Sequence, residues 1–247
     1  MSGTLYGVGV GPGDPELLTL KAHRLITATR VIAYPAPDDG ESFARSIVSQ
    51  WLGPEKVEIP IIVPMRAQRF PAKQVYDQAA VTIASYLDSR SDVAVLCEGD
   101  PFFYGSFMYL FERLAGRYDC EIVPGVSSLM ASAATAARPL AARNDVLTVV
   151  PAPLKDAAIL KFLNSAEAVA FIKVGRHLPR LRALIERTGL MPQAVYLERV
   201  TLGNQRLSPL ADVGPQAAPY FSMVLVYKGV EDWIGELPVA VETLQSA

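Results

Sequence analysis

Four glycines stand at alternate positions in the stretch LYGVGVGPGDPELLTLKA, which runs from residue 5 to residue 22. A loop with so few side chains lets its backbone approach a ligand closely. The glycines do not have the spacing of the dinucleotide fingerprint, and none precedes the Lys-Ser/Thr pair of a Walker A loop. The stretch therefore predicts either a loop that holds a ligand of another kind or a tight strand-to-helix turn without a ligand.

The residues after the glycines are acidic. Asp14 is the predicted N-cap of the following helix, with Pro15 at the first helical position and Glu16 in the first turn. Negative charge at this place would compete with a phosphate group for the helix N-terminus. The loop therefore favours a ligand without phosphate.

Two further turns follow apolar runs. In CEGDPFFYGSF (97–107), Asp100 could accept hydrogen bonds from a ribose or an amine, and three aromatic residues follow it. Those rings could pack on an apolar or cationic group, or they could simply fill the core. The third turn is VPGVSS (123–128). Because ligands collect at the carboxyl ends of strands in open α/β sheets, we expect the three turns to line one cleft.

The elements that position these turns alternate along the chain. Short runs rich in β-branched residues predict strands at 5–10, 31–34, 93–97, 120–123, 146–150, 168–173, 194–197 and 222–227. Apolar residues at helical spacing predict helices at 18–28, 74–87, 106–116 and 177–189. The alternation predicts an α/β protein with mainly parallel sheets. About four strands precede the Pro-Gly break in the third turn and at least four follow it, so we predict two α/β domains, 1–121 and 122–247.

Composition excludes several classes of protein. The formal net charge is -2 over 247 residues, so no bulk electrostatic attraction to nucleic acid is expected. Neither an apolar run of about 20 residues nor a signal peptide is evident, which favours a cytoplasmic protein that does not enter a membrane. Cys97 and Cys120 are far apart and form no CxxC motif, so we expect no metal site in the protein.

Taken in order, YGVGVGPGDPELLTLKA, LCEGDPFFYG, VPGVSS and FIKVGR resemble the successive signatures of the tetrapyrrole (corrin/porphyrin) methylase family. The likeness covers nearly the whole chain. Together with YPAPDDGESFARSIV (34–48) and YLERVTLGNQRL (196–207), these motifs are most similar to those of members that methylate C-20 of precorrin-2 in cobalamin biosynthesis.

The resemblance implies two α/β domains that enclose S-adenosylmethionine in the cleft between them, in a homodimer. It is consistent with the failed dinucleotide fingerprint, because this cofactor carries no pyrophosphate. Carried over by motif, the implied cofactor contacts are Pro12, Glu98, Gly99, Asp100, Phe103, Ser127, Ser128, Val174, Val200 and Met223. The last three are apolar and would act mainly through backbone and shape.

The sequence departs in two places from relatives that methylate uroporphyrinogen, and these departures limit the range of expected substrates. Glu98 stands where those relatives often have glycine, and Ser127 and Ser128 stand where they often have a Thr-Ala pair. Glu98 and the GESFA segment (40–44) therefore argue against uroporphyrinogen. The alternatives left open are a sibling methylase, acting at C-20 of a cobalt-loaded substrate or on uroporphyrinogen III, and a tetrapyrrole carrier without catalysis.

Direct methyl transfer from a sulfonium to a carbon needs alignment rather than a covalent enzyme intermediate. Loss of the ring proton could be assisted by Asp100, Glu98 or Tyr104. The carboxylates of the tetrapyrrole would pair with arginines, for which the candidates are Arg45, Arg66, Arg69, Arg143 and Arg176. Each of these arginines could instead be an ordinary surface charge.

Overall fold

The computed structural model describes residues 2–63, 70–214 and 216–229. The chain divides into two compact units, Met1–Ser128 and Leu129–Ala247. Strands and helices alternate in both, so the predicted α/β class is confirmed. The sequence-based boundary after residue 121 lies slightly before this division and stays a prediction.

The first unit contains an entirely parallel sheet, called sheet 1 below. Its strands are β1 (Leu5–Gly9), β2 (Val31–Ala36), β3 (Val57–Ile62), β4 (Val93–Cys97) and β5 (Cys120–Val123). They lie in the order β3-β2-β4-β1-β5. Because β1 lies between β4 and β5, Gly9 pairs with Cys97 and Val8 with Val123. The three turns that were predicted to line one cleft therefore leave adjacent strands at the same edge.

Helices cover both faces of sheet 1. They are α1 (Leu20–Ala28), α2 (Phe43–Val48), α3 (Phe70–Asp88) and α4 (Phe107–Leu114). Side chains of a strand alternate between faces, so Val95 of β4 packs in the cluster with α3 and α4, and Leu96 in the cluster with α1 and α2. Since both faces are covered, β4 is apolar and buried at every position.

The chain after β1 enters α1 in two steps. Residues Pro15–Leu17 form a 3-10 turn, and the Asp14 carboxylate accepts a hydrogen bond of 2.8 Å from the Glu16 backbone N–H. The Thr19 hydroxyl then caps α1 by accepting from the Ala22 N–H at 3.1 Å. The capping role predicted for Asp14 is confirmed, but the capped element is the short turn rather than α1 itself.

The second unit contains a mixed sheet, called sheet 2 below. Its strands are β6 (Leu147–Pro151), β7 (Ala168–Ile172), β8 (Ala194–Glu198), β9 (Arg206–Pro209) and β10 (Ser222–Tyr227), in the order β6-β7-β10-β8-β9. Its helices are α5 (Ser128–Thr135), which begins at the end of the first unit, α6 (Asp156–Ser165) and α7 (Leu178–Arg187). Helices α6 and α7 pack on one face of sheet 2, and α5 packs on the other.

The expectation of mainly parallel sheets holds for sheet 1 but not for sheet 2. In sheet 2 only β6 and β7 are parallel, whereas β10 runs antiparallel to both β7 and β8, and β8 runs antiparallel to β9. The connection from β8 to β9 contains no crossover helix, and strands joined in this way can pair only in the antiparallel sense.

Candidate functional site

The turns after β1 and β4 are joined by backbone hydrogen bonds. The Gly99 N–H donates to the Gly11 carbonyl at 2.8 Å, and the Gly11 N–H donates to the Gly99 carbonyl at 3.3 Å. Gly11 and Gly99 have φ angles of +80° and +62°, which glycine adopts at no steric cost. The first two predicted turns are thus one continuous backbone surface.

The turn after β5 joins the other two through a contact between glycines. A Cβ atom on Gly9 would lie 2.6 Å from both the Gly99 carbonyl oxygen and the Gly125 nitrogen. A Cβ atom on Gly125 would meet the same carbonyl oxygen and the backbone of Gly9. Side chains at these positions would separate the three turns, so glycine is required where they meet.

The Asp100 carboxylate ties two of the turns together. Oδ1 accepts hydrogen bonds from the backbone N–H groups of Phe102 and Phe103 at 2.9 and 3.0 Å, and Oδ2 accepts one from the Gly125 N–H at 3.1 Å. Both oxygens are therefore engaged by backbone donors. This geometry supports a positioning role for Asp100 in addition to any contact with a ligand.

The aromatic residues after Asp100 divide into two groups. The Phe102 ring contacts Phe107 and Phe111 of α4, with centroids 6.0 and 5.2 Å apart. Phe103 and Tyr104 form an edge-to-face pair at 5.2 Å. All three residues are exposed, Phe102 at 47%, Phe103 at 37% and Tyr104 at 46%. Phe102 thus contacts α4, while the other two rings contact each other.

Glu98 connects the second turn to α2, a link that sequence reasoning missed. The Ala44 backbone N–H, in the first turn of α2, lies close enough to the Glu98 carboxyl group to lower its pKa. Burial raises the pKa of Glu98 above its ordinary value, and hydrogen bonds from backbone N–H groups oppose that rise in part. Ala44 belongs to the GESFA segment, so the two features that argued against uroporphyrinogen are in contact with each other.

The raised pKa of Glu98 gives a pH-dependent stability with a definite sign. The folded protein retains the Glu98 proton above pH 4.5, the ordinary value, so the stabilisation is present at lower pH and is lost as pH rises through the folded pKa. Glu98→Gln keeps an acceptor for the Ala44 N–H without a buried charge. The free energy of unfolding of this variant, relative to that of the wild type, is expected to be higher at about pH 7 than at about pH 4.

Urea unfolding of both proteins at the two pH values measures that difference. The matched control is Glu112→Gln, at an exposed position of α4. Its free energy of unfolding is expected to differ from that of the wild type by the same amount at both pH values. A Glu98→Gln difference that does not change with pH would contradict the assignment.

Arg45 is held by an internal partner. Its Nε and Nη2 donate to the two carboxylate oxygens of Glu58 at 2.5 and 2.8 Å, and the Tyr34 hydroxyl donates to the same carboxylate at 2.7 Å. The bond to Arg45 is the main cause that lowers the pKa of Glu58. The guanidinium predicted to bind a substrate carboxylate therefore already pairs bidentately with a carboxylate of β3, a residue that the sequence reasoning did not single out.

The remaining candidates of the first unit differ in exposure. Pro12 and Ser127 are buried, whereas Ser128 is exposed at the start of α5. Arg66 and Arg69 lie outside the described residues.

Candidates in the second unit lie in two settings. Val174 is buried in the cluster with α6 and α7, and Val200 and Met223 are buried on the opposite face of sheet 2. Arg143 and Arg176 are exposed, and the Arg176 Nε lies 3.4 Å from His177 Nε2. The apolar candidates can thus contribute shape and backbone rather than exposed side-chain surface.

A polar network at the end of β8 was also missed. The Tyr196 hydroxyl donates to the Glu198 carboxylate at 2.5 Å, and Arg199 Nη1 donates to the other oxygen of that carboxylate at 3.1 Å. Burial and the Glu198 bond raise the pKa of Tyr196 to about 12. Arg199 and Thr201, which follow the strand, have φ angles of +49° and +69°. These two residues lie in the YLERVTLGNQRL motif (196–207), which is the signal that could have located the network.

The described part of the chain contains neither a metal-binding cluster nor a membrane-spanning helix. Within it, no cluster of three or more His, Cys, Asp or Glu residues could hold a metal ion. Across the same residues, no helix combines the length and the apolar character needed to cross a membrane.

Comparison with known proteins defines the class to which this fold and these turns belong. The profile of the family described as "Tetrapyrrole (Corrin/Porphyrin) Methylases" matches residues 4–213. This span includes all three turns and most of sheet 2. The chain therefore belongs to the tetrapyrrole methylase family, and the resemblance inferred from its motifs is confirmed.

Individual relatives are similar over most of this chain. It is 40% identical to the precorrin-2 C(20)-methyltransferase of Sinorhizobium sp over 91% of its length and 95% of that protein. It is 32% identical to the cobalt-precorrin-2 C(20)-methyltransferase of Salmonella typhimurium, over 92% of this chain and 98% of that protein. It is 40% identical to the cobalamin biosynthesis protein CobIJ of Mycobacterium tuberculosis over 92% of this chain but only 46% of that protein, so it spans about half of CobIJ.

A solved structure shares the fold. Uroporphyrin-III C-methyl transferase from Thermus thermophilus, in complex with S-adenyl homocysteine, matches with a TM-score of 0.68 and 22% identity. The match covers 92% of this chain and 98% of the Thermus chain. At this level of identity the likeness establishes the fold alone.

Proposed function

We propose that this chain is an S-adenosylmethionine-dependent methyltransferase that methylates C-20 of precorrin-2, giving precorrin-3A, in cobalamin biosynthesis. The observation that carries the proposal is the 40% identity to the Sinorhizobium enzyme over nearly the full length of both chains. The described turns add to it, because they hold the family motifs in one continuous surface. The product S-adenosylhomocysteine is the molecule bound by the Thermus protein of the same fold.

The chemistry of the turns fits this cofactor. Residues 9–17, 98–105 and 123–128 contain no lysine or arginine, but they contain four acidic residues, Asp14, Glu16, Glu98 and Asp100. Such a surface offers backbone donors and acceptors together with negative charge. It matches a sulfonium cation with a ribose and an adenine, whereas a pyrophosphate would meet repulsion without a compensating cation.

The residues of the chain act by positioning. The bound cofactor supplies a methyl group on a positively charged sulfur, so the reaction requires alignment in a site from which water is excluded. The locked glycine turns provide a rigid backbone for it, and Asp100 fixes the second turn against the third. Because both Asp100 oxygens already accept backbone hydrogen bonds, Glu98 is the better candidate to assist loss of the C-20 proton.

Substrate carboxylates would be bound by arginines. Of the described candidates, Arg143 and Arg176 are exposed, and Arg45 pairs with Glu58. We favour Arg143 and Arg176 as ligands of the carboxylates because a substrate can reach an exposed residue. The homodimer, which the resemblance to the family implies, and the cytoplasmic location, which the apolar pattern of the sequence favours, belong to the proposal as well.

A second candidate substrate is cobalt-precorrin-2. The 32% identity to the Salmonella enzyme extends over nearly the full length of both chains and favours it over uroporphyrinogen III. The reaction and the methylated carbon would be the same, with the metal carried by the macrocycle. The higher identity to the Sinorhizobium enzyme favours the metal-free substrate.

The proposal is tested by anaerobic incubation of the purified protein with S-adenosylmethionine and either precorrin-2 or cobalt-precorrin-2. We expect the mass of precorrin-2 to rise by one methyl group, and NMR with a ¹³C-labelled methyl donor to place that group on C-20. A higher kcat/KM for the cobalt-loaded substrate would select the second candidate. Tetrapyrrole binding without methylation of either substrate would contradict both and indicate a carrier.

A further inference from the structure

The turn after β4 holds a large aromatic residue in a strained conformation. Tyr104 has a φ angle of +58°, which lies in the left-handed region. A bulky residue rarely adopts this conformation. Its side chain remains 46% exposed. The strain therefore does not serve to bury the ring in the core.

The surrounding turn leaves Tyr104 little freedom to relax. On one side, the Asp100 carboxylate accepts the N–H groups of Phe102 and Phe103. On the other side, a Cβ atom on Gly105 would collide with the carbonyl oxygens of Pro101 and Asp100. The conformation of Tyr104 is thus imposed by the turn.

The neighbouring ring supports the exposed one. Phe103 meets Tyr104 edge to face, with planes at 83° and centroids 5.2 Å apart. Such a pair stabilises the relative orientation of the two rings. Strain that persists at an exposed position typically marks a functional site, and here it presents one flat aromatic face beside the three turns.

We propose that the Tyr104 ring is a contact surface for the tetrapyrrole substrate, with Phe103 as its support. The inference rests on the proposed function and deepens it, because it assigns a residue to substrate recognition by stacking. The conjugated part of the macrocycle offers a face that stacks on an aromatic ring, and stacking needs no directed hydrogen bonds. The ring rather than the hydroxyl group is the essential part of Tyr104.

Three substitutions at this position separate ring, hydroxyl and strain. Tyr104→Phe removes only the hydroxyl, whereas Tyr104→Gly and Tyr104→Asn remove the ring and leave residues that adopt positive φ readily. The last two variants are therefore expected to keep the thermal unfolding midpoint of the wild type and its affinity for S-adenosylhomocysteine. Both are expected to raise the KM and the dissociation constant for precorrin-2 by about tenfold or more. Tyr104→Phe should keep both values.

The matched control is Arg90→Gly. Arg90 is also exposed and has a φ angle of +67°, but it precedes β4, at the opposite edge of sheet 1 from the three turns. This variant relieves the same kind of strain and should leave KM, kcat and tetrapyrrole affinity unchanged.

The outcomes distinguish this inference from the proposed function. Failure of the wild-type protein to methylate precorrin-2 would overturn the proposed function, and the dissociation constants measured without turnover would still test the ring. Wild-type precorrin-2 affinity in Tyr104→Gly or Tyr104→Asn would overturn the inference. A loss in Tyr104→Phe as large as in Tyr104→Gly would also overturn it, because the hydroxyl would then be the contact.

Discussion

Gly9→Ala is expected to abolish measurable binding of S-adenosylhomocysteine and to lower the free energy of unfolding by about 1–3 kcal/mol. The added Cβ would lie 2.6 Å from the Gly99 carbonyl oxygen and from the Gly125 nitrogen. Both are backbone atoms, so no side chain can rotate away to make room. The turns must separate, and the surface that they form together is lost. Calorimetric titration and urea unfolding of the purified variant measure the two effects.

Gly116→Ala is the matched control for this prediction. Gly116 lies in the same unit, and a Cβ atom there would have no heavy atom within 4 Å. We expect this variant to bind S-adenosylhomocysteine like the wild type and to change the free energy of unfolding by no more than about 0.5 kcal/mol. Wild-type affinity in Gly9→Ala would show that the three turns do not form the cofactor site.

Sequence reasoning predicted those parts of this site whose signal lies within one short stretch of the chain. Turns of the Gly-Asp-Pro type directly follow β1 and β4, and continuous apolar runs predict strands buried on both faces. Asp14 was identified as a cap because its position before Pro15 is itself the signal. By contrast, the contact between Gly9 and Gly125 joins distant parts of the chain, and nothing in either local sequence records it.

The partner of Arg45 could not be predicted from the sequence, for a physical reason. Strand β3 was not predicted, because Glu58 and Pro60 interrupt its apolar run, and proline is usual only in edge strands. Glu58 is the residue that pairs with Arg45. With the strand unrecognised, the sequence showed no partner for Arg45, and its place among the substrate-binding candidates stays a prediction. Arg45 lies on the short helix α2. This helix was not predicted, because its six residues are too few to show a repeating helical pattern of apolar residues.

The directions of the strands in sheet 2 could not be predicted from the sequence pattern either. The run SMVLVY of β10 is as apolar as AVAFI of β7, so composition favoured a parallel arrangement for both. The direction follows from the connections, and the sequence shows neither the length of β9 nor its pairing with β8. The α/β class could therefore be predicted, whereas the topology of sheet 2 could not.

Asp100→Ala is expected to reduce the affinity for S-adenosylhomocysteine and the turnover together, each by about a hundredfold or more. Three backbone N–H groups lose their acceptor at once, and the loss of hydrogen bonds to a charged group typically costs about 1.5–3 kcal/mol. The second turn would no longer be fixed against the third. Calorimetric titration and initial rates with precorrin-2 measure the two effects, and urea unfolding reports the stability.

Asp100→Asn and Asp92→Ala separate a positioning role from a catalytic one. Asp92 accepts a single backbone hydrogen bond, from the Thr4 N–H at 2.7 Å, at the opposite edge of sheet 1, so its variant should be less stable but should bind and turn over normally. Asp100→Asn keeps one oxygen as an acceptor but places an NH₂ group, itself a donor, against a backbone N–H. If Asp100 acts by positioning, the variant should lose cofactor affinity and turnover in parallel. Wild-type cofactor affinity combined with loss of turnover in Asp100→Asn would instead identify Asp100 as the proton acceptor. Because the carboxylate already accepts three backbone hydrogen bonds, we expect the parallel loss.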